Sequence, residues 1–551
     1  MSLCAQSTFL IPVETERVAR AAFPKGTLCL HIINALGSIF CDPQFASLFP
    51  RRGQPAEAPA RLALVTLLQF VENLPDRQAA DAVRGRIDWK YALALELTDP
   101  GFHYTVLSEF RTRLIAGNAE LLLLDTLLDR FKELDLIKTR GRQRTDSTHV
   151  MAAVRSLNRL ERVMETLRAA LNQLAVMAPD WLRAFTPAEW YQRYGSRAEN
   201  YHLPKPETAR QDLARVIAAD GEKLLTAIDA AERESWLAQI PAVVVLRRLW
   251  SEQFTGEPGK LSWREVKDMP SPAELIASPY DPEARYSTKR GLEWVGYKVH
   301  LTETCDPDRP HLIVNIETTP APVPDDNMIQ VVHESLAKRE LLPSEHLVDK
   351  GYTDSEMLVE SERQHGVRII GPVSDDPSWQ LRAGGLDKSQ FTVDWERKVV
   401  TCPAGKQSIS WLPQRYPKSG YTWEVRFASK DCKPCALRTG CTKSKQDPRR
   451  INLQTQEQHE ALQRVRLEQQ TETFRLQYAA RAGIEGTHEQ ALRRCGLRDS
   501  RYIGQAKTRL QHIITAAAIN LIRINEWWMS NPKAPTRRSR FAALEHIPVA
   551  A

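Results

Sequence analysis

The stretch from 286 to 376 limits the fold more than any other part of the chain. In GLEWVGYKVHLTETC, Val295, Tyr297, Val299 and Leu301 alternate with other residues, and LIVNIETT follows after a DPDRP turn. A period of two on both sides of a turn describes a β-hairpin with one covered face. A helix from about Asn327 to Arg339, a short strand ending on Asp349, and a helix running into a strand over SEMLVESERQHGVRII come next. Upstream, GRQRTDSTHVMAAV is rich in Thr and Val and supplies one more strand, with Asp146 at or near its end. Strands and helices in this order predict an α/β fold, a mixed sheet with helices packed on it.

The remainder is mostly helical. Residues 1–135 show helical periodicity, as at Leu64, Leu67, Leu68 and Val71, and carry Arg77, Arg84, Arg86, Lys90, Arg111 and Arg113 on or near turns. Those cations read either as a solvated face or as contacts to DNA. The short strand region 136–154 is followed by a helical insertion over 155–285, where Val154, Leu157, Leu160, Met164, Leu167, Leu171 and Leu174 recur in steps of three and four. Trp181, Trp190, Trp236 and Trp250 are expected to pack inside it. After the sheet segment 286–376 comes a compact β-rich insertion with four cysteines over 377–450. Long helices over 451–530 then end in the apolar LQHIITAAAINLIRINEWW, and a mobile basic tail occupies 531–551.

At 551 residues the chain is too long for one ordinary domain. Its 42% hydrophobic and 26% charged residues are those of a globular protein, and a net charge of +7 supports a polyanionic partner only weakly. The nine cysteines are not spaced as a secreted disulfide framework, and MSLCAQSTFLIPVETERV has no signal-peptide pattern. No apolar run approaches the roughly 20 residues of a membrane span. A soluble protein in a reducing cytoplasm is the expectation.

Three carboxylates invite a chemical reading. Tyr478, Arg481 and Glu485 stand at i, i+3 and i+7, which places a ring, a guanidinium and a carboxylate on one helical face. If folding brings Glu485 to Asp146 and Asp349, oxygen ligands for two Mg²⁺ ions about 3.5–4 Å apart result. Each aspartate alone reads equally as a turn or N-cap residue. Arg481 would orient the carboxylate or clamp a phosphate, or form a surface ion pair. Gly483 and Gly486 suit either a close approach of another group or a helix break.

Cys402, Cys432, Cys435 and Cys441 include one C-x2-C pair and suit a structural Zn²⁺ site, with reduced metal-free thiols as the other reading. Cys4, Cys29, Cys41, Cys305 and Cys495 read as ordinary cysteines. Beyond Glu485, the basic run Arg493, Arg494, Arg498, Arg501, Lys507 and Arg509 has the cation density that phosphate contacts need. P-loop, H-E-x-x-H and G-x-S-x-G patterns are absent.

The segment Tyr478-Ala-Ala-Arg481-Ala-Gly-Ile-Glu485 resembles the Y-x2-R-x3-E signature of insertion-sequence DDE transposases. RTDSTHV and HLVDKGY resemble the first and second aspartate motifs of the same enzymes, and GYKVHLTET, ETTPAPVPDDN and GLRDSRYIGQAKTRLQH match in order. The resemblance implies an RNase H-like catalytic domain interrupted by insertions and preceded by a helical DNA-binding domain. It implies Asp146, Asp349 and Glu485 as the acidic triad for Mg²⁺ or Mn²⁺, supported at the DNA by Tyr478, Arg481, Arg493, Arg494, Arg498, Arg501 and Lys507. The basic residue that the signature carries after its glutamate falls on Leu492 here, beside Arg493. The implied activity is cutting element ends and joining them to target DNA, by a homodimer on paired ends of double-stranded DNA in the nucleoid. A related nuclease without strand transfer, or an inactive zinc-stabilised DNA-binding protein, are the other readings.

Overall fold

The computed structural model describes residues 9–289, 291–374, 378–416 and 420–530, together with Ser2, Leu3, Ala5 and Phe541. Cys4 and, apart from Phe541, the basic tail 531–551 lie outside the described residues. Among the described residues no helix is long and apolar enough to cross a membrane.

Six strands form the main sheet: β1 (Arg142–Met151), β2 (Arg285–Lys289), β3 (Leu292–Thr304), β4 (Ile313–Pro320), β5 (Glu345–Val348) and β6 (Arg368–Ile370). β1 lies between β3, which runs antiparallel to it, and β5, which runs parallel. β6 continues parallel beyond β5, while the far edge of β3 pairs antiparallel with β4 and, at its start, with β2. The alternation seen in the sequence puts Tyr297, Val299 and Leu301 wholly inside. Parallel register aligns Thr145 with Val348, and β5 ends there. The next residues are Asp146, in the middle of β1 and not at the end expected for it because β3 goes on pairing to Met151, and Asp349, just past β5, so the two aspartates stand side by side where the parallel ladder stops.

The C-terminal helix Gln505–Trp528 organises the core. Ile513, Ile514, Ala516, Ala517, Ala518, Ile519, Leu521 and Ile524 are all buried, so its apolar surface runs almost all the way round. Such a helix must be covered on every side. β4 covers one side, and the helices Pro59–Val71 and Leu122–Glu133 cover others. One hydrophobic cluster consequently runs from Ala19 through the N-terminal helices to Val150, Val299, Ile316 and Ile524. Segment 1–135 therefore shares its core with the sheet.

Helices from Arg159–Met177 to Pro241–Gln253 close around a core of their own that includes Leu167, Trp190, Ile217, Leu246 and Trp250. Trp190 and Trp250 pack as expected, whereas Trp236 is 40% exposed and does not. A two-stranded pair, Phe254–Thr255 with Ser262–Trp263, interrupts the helical character expected there. In the cysteine-bearing module, short strands enclose a small core built on Phe391, Val400, Val425, Phe427, Ile451 and Leu453.

Two expectations need correction. Periodicity suggested continuous helix from Glu457 into Glu485, but the structure has Gln456–Glu468, Glu472–Ala479 and Gly483–Cys495, the last two joined by a 3-10 turn over Ala480–Ala482. Thr471 caps the middle helix by accepting the Phe474 N–H, and that local cap ends the preceding helix. Tyr478, Arg481 and Glu485 thus belong to three successive pieces of right-handed backbone and not to one α-helical face.

Of the N-terminal cations, Lys90 and Arg111 are not on a surface that DNA could reach, whereas Arg77 and Arg84 are exposed. Lys90 and Arg111 are buried, Lys90 bonding the Asp99 carbonyl at 2.7 Å and Arg111 pairing with Asp76 at 2.5 Å. Arg77 donates to the Tyr104 hydroxyl, Arg84 to the Pro100 carbonyl, Arg86 to Asp88 and Arg113 to the Leu48 carbonyl. These groups satisfy helix ends and turns of their own unit.

Candidate active site

Asp146, Asp349 and Glu485 meet at one guanidinium. Arg481 Nη2 is 2.6 Å from Asp146 Oδ2 and 3.9 Å from Asp349 Oδ2, and its Nη1 donates to Glu485 Oε1 at 3.1 Å. Asp146 Oδ1 also accepts its neighbour's amide, Ser147 N–H, at 2.8 Å, and Asp349 Oδ1 accepts Gly351 N–H at 2.9 Å. Both aspartates are fixed by the backbone that bears them. The Asp146 side chain is 13% exposed and that of Glu485 69%, so the cluster opens to solvent on the helix side. Burial, with the Asp349 carboxylate adding to it, pushes the Asp146 carboxyl up to about 6 against the opposing pull of Arg481 and the Ser147 amide. Burial works to lower the Arg481 pKa, but the charges of Asp146, Tyr478, Asp349 and Glu485 outweigh it and the net shift is upward.

The Glu485 helix is tied to the sheet from below by residues that motif reading passed over. Glu303 on β3 is fully buried and accepts from Arg144 at 2.6 Å, from the Thr487 hydroxyl at 2.6 Å and from Arg523 at 2.5 Å. Arg144 also donates to the Ala480 carbonyl. Strands β1 and β3, the 3-10 turn, the Glu485 helix and the C-terminal helix are joined through this one carboxylate. Burial alone would raise its pKa, yet Arg523, Arg144 and Thr487 hold it below the usual carboxylate range. A Cβ on Gly483 would lie 2.2 Å from Arg144 Nη1, while one on Gly486 would meet nothing within 4 Å. Close approach explains the first glycine and leaves the second unexplained. The available signal was Arg144 and Glu303 inside the RTD and LTET motifs, both long charged residues within strand segments.

A second polar layer lies on the other face of β3. The buried Tyr352 hydroxyl is 2.7 Å from His300 Nδ1, and Lys298 bonds Asp325 at 3.0 Å. Both Asp325 and Asp349 lie against Gly351, so the β4-to-helix loop reaches the edge of the site.

Of the other expected residues, Tyr478 stays within electrostatic reach of Arg481, Asp349, Asp146 and Glu485, and the cations are dispersed. Tyr478 stacks on Phe474 at 5.7 Å and packs with Leu347 and Ile370. Arg493 pairs with Glu489 and Arg509 with Glu120. Arg501 donates to Asn73 and the Leu74 carbonyl and lies over Phe70, which joins this turn to the N-terminal helices. Arg494 and Lys507 are exposed and Arg498 is half-buried. Met151 N–H donates to the Arg498 carbonyl at 2.7 Å, which brings this segment against the end of β1.

Cys402, Cys432, Cys435 and Cys441 line one cavity of about 30 Å³, all as free thiols, and Lys406 N–H donates to Cys402 Sγ at 3.4 Å. Cys29, Cys305 and Cys495 are buried, and Cys41 is half-buried. Among the described residues no three His, Cys, Asp or Glu side chains already stand as a metal-holding group. At the carboxylate cluster, the Arg481 guanidinium occupies the point of convergence.

Comparison with known families gives two matches. A model described as a Transposase DDE domain matches residues 401–525, which contain the four cysteines, Arg481 and Glu485. A model described as a Transposase domain (DUF772) matches residues 17–113, within the N-terminal helices. Neither the curated proteins nor the solved structures give a match. The chain thus resembles insertion-sequence DDE transposases at both ends.

Proposed function

We propose that the chain is a DNA transposase of an insertion sequence that cuts element ends and joins them to target DNA, with Asp146, Asp349 and Glu485 as its metal-holding carboxylates. The observation that carries this reading is the convergence of all three on Arg481. Their oxygen donors suit a hard divalent ion, and DDE transposase domains generally use such ions. Mg²⁺ or Mn²⁺ bound there would activate the attacking hydroxyl and stabilise the leaving oxygen in an in-line displacement at phosphorus. The protein's part is positional. β1 and β5 fix the two aspartates, Glu303 and Arg144 hold the Glu485 helix over them, and exposed Arg494 and Lys507, with Arg498, offer cations to the phosphate backbone.

The strand order supports an RNase H-like core: β4-β3-β1-β5-β6, with β3 antiparallel to β1 and with β5 and β6 parallel to it. On this reading, 155–285 and 377–450 are insertions between core elements, and DNA-bound copies pair as a homodimer. In the second insertion we assign Cys402, Cys432, Cys435 and Cys441 to a structural Zn²⁺, because a module with six buried core residues gains stability from a metal. Metal analysis of the purified protein should find one zinc per chain, lost in Cys435→Ser together with the module's resistance to protease. Folded protein without stoichiometric zinc refutes the assignment.

The decisive assay incubates the chain with DNA carrying element ends, a target duplex and Mg²⁺ or Mn²⁺. Joined products are expected, and Asp146→Asn, Asp349→Asn or Glu485→Gln should each abolish cleavage while leaving DNA binding, measured without divalent metal, within about threefold. Hydrolysis without joining would make the chain a nuclease. Binding without cleavage would make it a DNA-binding protein.

A further inference from the structure

Arg481 provides one positive charge for three carboxylates, and among the described residues every ion pair and hydrogen bond of its side chain goes to that cluster. Its Nε is buried with no acceptor. Arg144, one layer below, is anchored differently, to Glu303, to the Ala480 carbonyl and to His311. Arg144 is built into the framework, while Arg481 is held by the site alone.

We propose that Arg481 is an exchangeable counter-ion. It holds the carboxylates until divalent cations replace it, and once released it binds a DNA phosphate, so that metal and DNA bind cooperatively. The inference rests on the metal-holding role proposed above.

The argument is one of shared oxygens and charge. Asp146 Oδ2, at 2.6 Å from the guanidinium, is the least exposed side of the cluster, and Mg²⁺ requires its oxygens at about 2.0–2.1 Å. A second cation held that closely by the same oxygen would be repelled by the guanidinium at a few ångströms, by an amount that grows as the surroundings become drier. Arg481 therefore opposes metal binding while it stays in place. It stands on the 3-10 turn, and among the described residues every hydrogen bond and ion pair of its side chain goes to the three carboxylates, so its release breaks none in the framework below. The exit is on the Glu485 side, which is open to solvent and where a phosphodiester would approach. A planar fork that pairs with carboxylates pairs equally well with phosphate. Phosphate that draws Arg481 away raises metal affinity, and by linkage metal raises affinity for phosphate by the same factor.

The test measures Mn²⁺ binding to the full chain by titration calorimetry, with and without a short double-stranded oligonucleotide and with no cleavage readout. Wild type should bind Mn²⁺ about tenfold tighter with the duplex than without it. Arg481→Gln should bind Mn²⁺ about tenfold tighter than wild type in the absence of DNA, with the duplex adding less than threefold. Arg481→Lys, which keeps the charge, should behave as wild type in direction. Arg481→Gln that melts as wild type does, yet binds Mn²⁺ no tighter without DNA or keeps the full duplex effect, overturns the exchange. Asp146→Asn distinguishes the two readings: Mn²⁺ binding unaffected by this substitution refutes the metal site itself, whereas binding lost in Asp146→Asn but indifferent to Arg481 refutes only the exchange.

Discussion

Glu303 has no solvent contact and three partners, each from a different element, so its substitution should be felt well beyond its own strand. Removing one member of a buried charged network leaves the others uncompensated, at a cost of about 3–5 kcal/mol. Glu303→Ala should lower the urea unfolding free energy by that order. The pH dependence has a definite sign. A carboxyl held below its unfolded value of about 4.3 contributes stability above that pH, and the contribution is lost as pH falls through its native value. The acid limb of the wild-type stability curve should therefore flatten in Glu303→Ala. The two glycines beside Glu485 separate cleanly. Gly486→Ala enters open space and should raise stability by about 0.5–1 kcal/mol through helix propensity. Gly483→Ala would place its methyl on the Arg144 guanidinium, which Glu303 and the Ala480 carbonyl pin in place, and should lower the melting temperature. Stabilisation by both substitutions would show that Arg144 is free to move aside.

Among elements, the C-terminal helix and β4 meet through a buried imidazole: His512 Nδ1 lies 2.7 Å from Thr318 Oγ1. Burial pushes His512 down to about 3, His333 to about 3, and His300 and His488 to about 4, with His365 adding to the burial at His333. His346 shifts the same way. Native histidines with lowered pKa values stay neutral while their unfolded counterparts take up protons below about 6.5, so stability is full above that pH and declines as pH falls toward 4. Thermal melts at pH 7.5 and 5.5 should show a clear drop at the lower pH, smaller in His512→Gln. Equal melting temperatures at the two values would mean that these imidazoles titrate normally. The strands were legible because a period of two is a local property, and Asp349 followed from where its strand ends, whereas Asp146 lies in mid-strand. The break at Ala480–Ala482 was not, because helical periodicity persists through a 3-10 turn of the same hand.

For the whole molecule, the two helical blocks that look alike in sequence differ in how they are stabilised. The helices between β1 and β2 enclose their own core, whereas the N-terminal helices complete their core only against the sheet and the C-terminal helix. A fragment of residues 155–285 should therefore be helical by circular dichroism and melt cooperatively, and a fragment of 1–135 should be weakly helical or aggregate. The opposite result would remove the shared core as the reason the N-terminal block is ordered. By itself the amino-acid sequence determined the α/β class, the strand that carries Asp146, the strand end that carries Asp349, the segment carrying Arg481 and Glu485, and the resemblance to transposases, since each rests on residues close together in the chain; that Asp146 lies in mid-strand came from the pairing of β1 with β3 beyond it. Tertiary structure alone decided that Lys90 and Arg111 are buried within their own unit, that Glu303 ties the Glu485 helix to the sheet, and that one guanidinium spans three carboxylates. Those are contacts between groups far apart along the chain or set by a fold's particular turns. A side chain's charge is written in the sequence, but which opposite charge it meets depends on how the backbone brings them together.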